Sequence, residues 1–296
     1  MSINLPSHFV QQYSSNIELL LQQKGSKLAG AVMTGGHVGK QASPVDQFGA
    51  IEATKVTTRF APMGRVDAPT DRRWVFPVDY DLPQLIDNYD KLRLLTDPSS
   101  TYVLNAALAL GRKKDEEICA AFTGTAKTGE QGATSTIFTA ANEVDVATGG
   151  ANSKLNVAKI KAVKKLMMKN HVDFDMEEAY IGITAEDHAA LLDEIQIISL
   201  DFNSKPVLND GKLVGFLGFQ FIHCELIETE LAGTNEVTLP VWVKSGMYLG
   251  QWNDISTSIS MRHDLQGEPW QAYAFMTVGA TRLQENKVYA IESYRA

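Results

Sequence analysis

The sequence predicts an α+β chain organised around one long helix. Three observations carry that expectation. The stretch Asp97–Phe122, DPSSTYVLNAALALGRKKDEEICAAF, has the ends and composition of a single helix. Residues 48–80 hold two β-prone runs joined by turn formers. Beyond residue 150, helical periodicity gives way to strand-like runs that continue to the end.

The helix comes first because the rest is placed by it. Asp97 suits the cap, Pro98 the first helical position, and Thr123-Gly124 the stop. About 24 residues at ~1.5 Å rise give a rod of roughly 36 Å. Tyr102–Leu110 is apolar almost all round apart from Asn105, which predicts cover on several sides. Arg112–Glu117 carries only charge, with Arg112/Glu116 and Lys113/Glu117 at i,i+4 spacing. That half is expected to meet water or another subunit.

Before the helix, residues 1–47 read as an arm. They hold too few apolar residues to close a core, a short helix is expected at Ile17–Gln23, and the Gly35–Gly39 run reads as flexible. Ile51–Phe60 and Arg72–Tyr80 read as strands joined by the turn-rich Ala61–Asp71, a hairpin too thin to be stable alone. Leu82–Leu95 is expected as a short helical lead-in.

After the helix, Thr123–Gly150 reads as a loop crossed by one strand near Ile137-Phe138. Val157–Lys169 places Val157, Ile160, Val163, Leu166 and Met167 on one face and its lysines largely on the other. Ala179–Ile183 is a short buried strand. Thr184 and Asp187 form a capping box for Ala185–Glu194. Leu239–Val243, Met247–Trp252, Ile255–Met261, Trp270–Thr281 and Lys287–Ile291 complete the chain as strands.

Composition excludes several classes of function. A net charge of −8 with a pI of about 5.3 opposes tight binding of phosphates. No apolar run approaches the length of a membrane span, and the amino end lacks the layout of a signal peptide. The expectation is a chain that stays in the cytoplasm where it is made. Two cysteines, Cys119 and Cys224, cannot alone build a metal cluster, and a disulfide between them is not expected.

The search for chemistry returns little. Gly35-Gly36-His37-Val38-Gly39-Lys40 fails as a phosphate loop, with Thr34 where a glycine is needed and Gln41 where Ser or Thr is needed. His223 and Cys224 adjoin on a strand, which points them to opposite faces. Asp173, Asp175, Glu177 and Glu178 lack the pattern of a calcium loop, and His188 reads as an exposed helix residue. No catalytic, cofactor or metal site is expected. The basic face of Lys159–Lys169 offers contact to nucleic acid or to an acidic neighbouring subunit, but with the overall negative charge it reads first as solvated. An arm, a protruding hairpin and no coherent active site describe a building block.

Five stretches in order resemble one family. They are Asp90–Pro98, Leu110–Asp115, Ser199–Asn203, Gly215–Phe219 and Gly279–Arg282. With the order of elements, they resemble the major capsid proteins of tailed bacteriophages, the Hong Kong phage type of fold. The resemblance implies an arm (1–47), an extended loop with its lead-in (48–95) and a peripheral domain with the spine helix (96–150). An apical domain (151–252) and return strands of the peripheral domain (253–296) follow. It implies a structural, non-enzymatic protein without cofactors, assembling into hexamers and pentamers of an icosahedral head shell around double-stranded DNA, in virions put together in the host cytoplasm. Scaffold, portal and decoration proteins are the implied further partners; no long charged amino-terminal helix of a fused scaffold is present. The inter-subunit contacts expected on this basis are Pro62, Met63, Gly64, Arg65, Arg72, Arg73, Arg112 and Asp115. An encapsulin-like compartment is the alternative, and a hydrolase or transferase using Cys224 and His223 a more distant one.

Overall fold

The computed structural model describes residues 22–39, 46–55, 57, 64, 66–86, 99–194, 197, 208–209, 212–213, 215–227, 229–230 and 235–295. Of the helix expected at Ile17–Gln23, residues 17–21 lie outside them and residues 22–23 carry no helix; the Asp97-Pro98 cap and the Ser199–Asn203 stretch also lie outside. In chain order the strands begin with β1 (Met33–Gly36), β2 (Asp46–Phe48), β3 (Thr70–Trp74) and β4 (Val78–Ile86). Helix α1 (Ser99–Thr123) follows, then β5 (Ala126–Thr128), β6 (Thr134–Thr136), β7 (Glu143–Val144), helix α2 (Val157–Lys169), β8 (Ala179–Ile183) and helix α3 (Ala185–Leu192). Short strands β9 (Leu208–Asn209), β10 (Lys212–Leu213), β11 (Gly215–Phe216), β12 (Phe219–His223) and β13 (Thr229–Glu230) come next. The chain closes with β14 (Glu236–Val243), β15 (Met247–Met261), β16 (Trp270–Arg282) and β17 (Val288–Tyr294).

These elements form two compact units. The larger comprises Ser26–Val78, Lys113–Asn253 and Thr277–Ala296; the smaller comprises Met1–Gly25, Asp79–Arg112 and Asp254–Met276. Strand β17 pairs with β14 from Glu236↔Tyr294 to Trp242↔Val288, so the last return strand belongs to the same sheet as β8.

That sheet runs β11-β12-β8-β14-β17-β7, with β13 beside β14. Strand β8 is buried throughout, as its short apolar run predicts. On one face lie the helices. Asn156 caps α2 by accepting from the Lys159 N–H at 2.9 Å. Val157, Ile160, Val163 and Met167 then meet Ile181, Leu239, Val241 and Ile291 in one core. The Thr184/Asp187 capping box starts α3 as expected. On the opposite face Trp242 packs on Phe122 of α1, ring centres 4.5 Å apart, and donates its indole N–H to the Ala31 carbonyl at 2.9 Å.

The arm therefore departs from expectation. Leu28, Ala31 and Val32 are buried, and the glycine run forms β1, parallel to β15 from Met33↔Tyr248 to Gly36↔Gln251. Its glycines permit this approach: a Cβ on Gly35 would fall 1.9 Å from the Tyr248 hydroxyl. His37 Nε2 then meets that hydroxyl at 2.6 Å.

The hairpin also differs. Residues 51–55 carry no strand; the base is formed earlier, by β2 and β3, paired Asp46↔Arg72 to Phe48↔Thr70. Arg72–Tyr80 is two strands in different sheets, broken at Pro77, which has no N–H for a ladder. The Thr123–Gly150 segment holds three short strands, two of which, β5 and β6, extend the β2-β3 sheet.

In the smaller unit β4 pairs with β16. The expected helical lead-in is strand as far as Ile86, its alternating burial the signature of a half-covered edge; residues 87–95 lie outside the described set. On α1, Ala106 and Leu110 are buried but Tyr102 and Leu104 are exposed. The apolar half is covered on one side rather than several.

Candidate functional site

The candidate surface is the segment between β2 and β3 together with the groups that anchor it. Phe48, Ile51 and Val66 are 75, 62 and 54% exposed, an unusual cost for apolar side chains in one short segment. Its ends are drawn together by the Gly49 N–H donating to the Pro69 carbonyl at 2.6 Å. Of the residues expected at subunit contacts, Pro62, Met63 and Arg65 lie outside the described set. Gly64 is exposed, with no atom within 4 Å of where a Cβ would stand.

Arg72 and Arg73 point in opposite directions, as neighbours on a strand must. Arg72 is at the surface, forked onto Asp46 at 2.6 and 3.2 Å. Arg73 is 6% exposed and turns inward, to within 3.2 Å of Glu285. It holds the loop base.

Glu285 is shared. Its other oxygen accepts from Arg282 Nε at 2.7 Å. Arg282 is fully buried, and its second nitrogen donates to the carbonyls of Phe122 at 2.8 Å and Gly124 at 2.9 Å, with Ala121 at 3.4 Å. Those carbonyls are the orphan acceptors at the carboxyl end of α1, where a cation is also favoured by the helix dipole. One Arg–Glu–Arg knot thus joins the loop base, the end of the long helix and the end of β16. Its members lie far apart in sequence, so periodicity and spacing do not reveal it; Arg282 showed itself only as part of the Gly279–Arg282 stretch.

The charged middle of α1 is not simply solvated. Lys114 is 6% exposed and Asp115 fully buried. Asp115 accepts from the N–H groups of Lys27 at 2.8 Å and Leu28 at 3.1 Å, and from the Ser26 hydroxyl at 2.5 Å. It fastens the arm of its own chain. In the smaller unit, Arg112 donates to Gln22 Oε1 at 2.7 Å, and Gln22 in turn donates to Asn105 Oδ1 at 3.0 Å. Lys113 pairs with Glu116 at i,i+3 spacing.

The chemical alternatives fare poorly. Cys224 is fully buried, and burial pushes its thiol up, away from the reactive thiolate. Its neighbour His223 is exposed and engaged with Glu225 Oε1 at 2.8 Å. Both cysteines are free. In the acidic loop Glu177 accepts from Lys287 at 2.6 Å and Glu178 from the Tyr180 hydroxyl at 2.7 Å. His188 is half-buried rather than exposed. Among the described residues, no three His, Cys, Asp or Glu side chains are grouped to hold a metal ion.

A second polar knot closes the sheet's carboxyl end. Arg295 forks onto the buried Asp187 at 2.9 and 2.8 Å, and Ser293 and Thr184 donate to the same carboxylate at 2.9 and 2.8 Å. Burial alone would raise the Asp187 pKa, but the Arg295 fork and the two hydroxyls hold it below its ordinary value.

The capsid of cyanophage P-SCSP1u superposes with a TM-score of 0.71 at 14% identity, covering 94% of this chain and 91% of that one. The cyanophage Pam1 capsid gives 0.71 at 10% identity, covering 95% of each chain. The Ralstonia phage GP4 capsid gives 0.70 at 9% identity, covering 100 and 98%. At such identities these share the fold. Among curated protein sequences none matches. A family profile described as phage capsid protein matches residues 5–294. The chain belongs to the phage capsid protein family.

Proposed function

We infer that the chain is the major capsid protein of a tailed phage, whose work is to assemble with copies of itself into the icosahedral head shell around the genome. The observation that carries the reading is the loop between β2 and β3: exposed apolar residues on a segment without local cover, held at its base by Asp46–Arg72 and the Arg73–Glu285 contact. Such a loop is stabilised by a neighbouring copy. In this reading the unit built on the seven-stranded sheet supplies the contacts around five-fold and six-fold axes. Gly64 and Arg72, with Pro62, Met63 and Arg65, are the proposed loop contacts, and Arg112 stays a candidate at the helix. The net charge of −8 suits a shell that encloses DNA without gripping it. Portal, scaffold and decoration proteins are further partners of such a shell, built in the host cytoplasm; no catalysis is required of it. The family match favours a genome over the enzyme cargo of an encapsulin-like compartment.

Deleting residues 62–71 separates loop from core. The circular dichroism spectrum of the free subunit should stay nearly unchanged, while electron microscopy shows no shells where the full-length chain forms them. Unfolding of the deleted subunit would show that the segment belongs to its own core.

A further inference from the structure

The outer face of helix α2 and the β17–β7 edge of the seven-stranded sheet carry exposed side chains of opposite charge. Helix α2 packs on one face of the sheet. Its first turn is fixed at the β17–β7 edge, where Lys159 donates to the carbonyls of Ser153 at 2.6 Å and Glu292 at 2.7 Å. Its middle is fixed at the β11–β12 edge, where Lys164 donates to the Leu217 carbonyl in the β11–β12 turn at 2.9 Å and lies 5.2 Å from the centre of the Phe174 ring.

The outer face of α2 is basic. Lys161, Lys165 and Lys169 are exposed, no acid interrupts the helix, and Met168 stands among them 58% exposed. At the β17–β7 edge the charge is negative. Glu143 on β7 and Asp145 are exposed, and Glu236 and Glu292 are half-buried beside them. Glu292 accepts one N–H, from Val146 at 3.1 Å. Burial and then the like charges of Asp145, Glu236 and Glu143 nonetheless push its carboxyl above the usual range.

We propose that these surfaces are partners: the Lys165/Met168/Lys169 face of one copy docks on the Glu143/Asp145 edge of the next, closing a ring head to tail. The inference rests on the shell-subunit reading. Rings of identical chains use heterologous contacts, in which two different patches of one chain must fit each other, and this unit offers such a pair. Nucleic acid is the less suited occupant of the basic face, because the chain as a whole carries −8.

The test uses the full chain under conditions where the wild type forms shells, with assembly followed by light scattering and electron microscopy. Lys165→Glu/Lys169→Glu and Glu143→Lys/Asp145→Lys should each leave the melting temperature of the free subunit unchanged. Each should raise the protein concentration needed for assembly roughly tenfold at 0.15 M salt, since like charges then face each other. At 1 M salt, where the screening length is about 3 Å, the defect should shrink. Combining all four substitutions should restore assembly. Wild-type behaviour of both double variants overturns the proposal, as does a quadruple variant no better than either double. Normal assembly of the lysine variant with less retained DNA also overturns it and gives the face to nucleic acid. A wild type that forms no shell under any condition overturns the shell reading itself, a result distinct from these.

Discussion

Replacing Arg282 by methionine will destabilise the free subunit by about 3–5 kcal/mol, the usual consequence of removing one member of a buried ion pair. The side chain is fully buried and serves two purposes at once. Its Nε holds Glu285, and its other nitrogen satisfies carbonyls of Phe122 and Gly124 at the end of α1. Methionine fills much of the volume, so the loss is chiefly polar: a half-buried carboxylate left with Arg73 alone and helix carbonyls left without a donor. Against a total stability of about 5–15 kcal/mol this is severe. Lysine is not expected to rescue it, because a single ammonium cannot reach Glu285 and the helix end together. Urea unfolding of the unassembled subunit checks both variants. A midpoint shift for Arg282→Met worth less than about 1 kcal/mol would mean the knot is not a structural joint.

The Asp187–Arg295 fork gives an effect of similar size with a pH signature. Arg295→Ala should cost about 3–5 kcal/mol at pH 7, since it strands a fully buried carboxylate. Asp187→Asn should cost less, because the neutral amide needs no counter-charge. The folded-state pKa of Asp187 lies below its unfolded value of ~3.9. The stabilisation it gives is therefore present above that value and is lost as pH falls through the lower, folded one. The stability gap between wild type and Asp187→Asn should be constant from pH 5 to 7 and close as pH drops below about 4. A gap that stays constant through that range would show that Asp187 does not titrate with folding.

What the sequence could and could not disclose follows from the range of the interactions. Helix α2, strand β8 and the α3 capping box were legible because caps and periodicity are local. The carboxyl end of α1 was legible for the same reason; a Cβ at Gly124 would fall 2.4 Å from the Ala120 carbonyl. Lys159 was grouped with a solvated face, yet it lies four residues before Val163 on the buried side, its ammonium satisfied by the carbonyls of nearby Ser153 and of Glu292 on β17. Asp115 looked exposed because its partners are backbone N–H groups 87 and 88 residues away. The arm looked coreless because its cover, Trp242 and β15, comes from the far end of the chain. Arg73 was recoverable from strand alternation beside Arg72, whereas its link through Glu285 to Arg282 was not. The candidate loop was visible as a segment rich in turn formers and poor in core, though its base begins at Asp46 rather than in the Ile51–Phe60 run.

The central claim is that this chain builds closed shells from copies of itself. Electron microscopy of the purified full-length protein, concentrated at several salt concentrations and with its scaffold where one is required, tests it most directly. Closed icosahedral particles are expected, or rings of five and six subunits that go on to close. A protein that stays strictly monomeric across those conditions would contradict it.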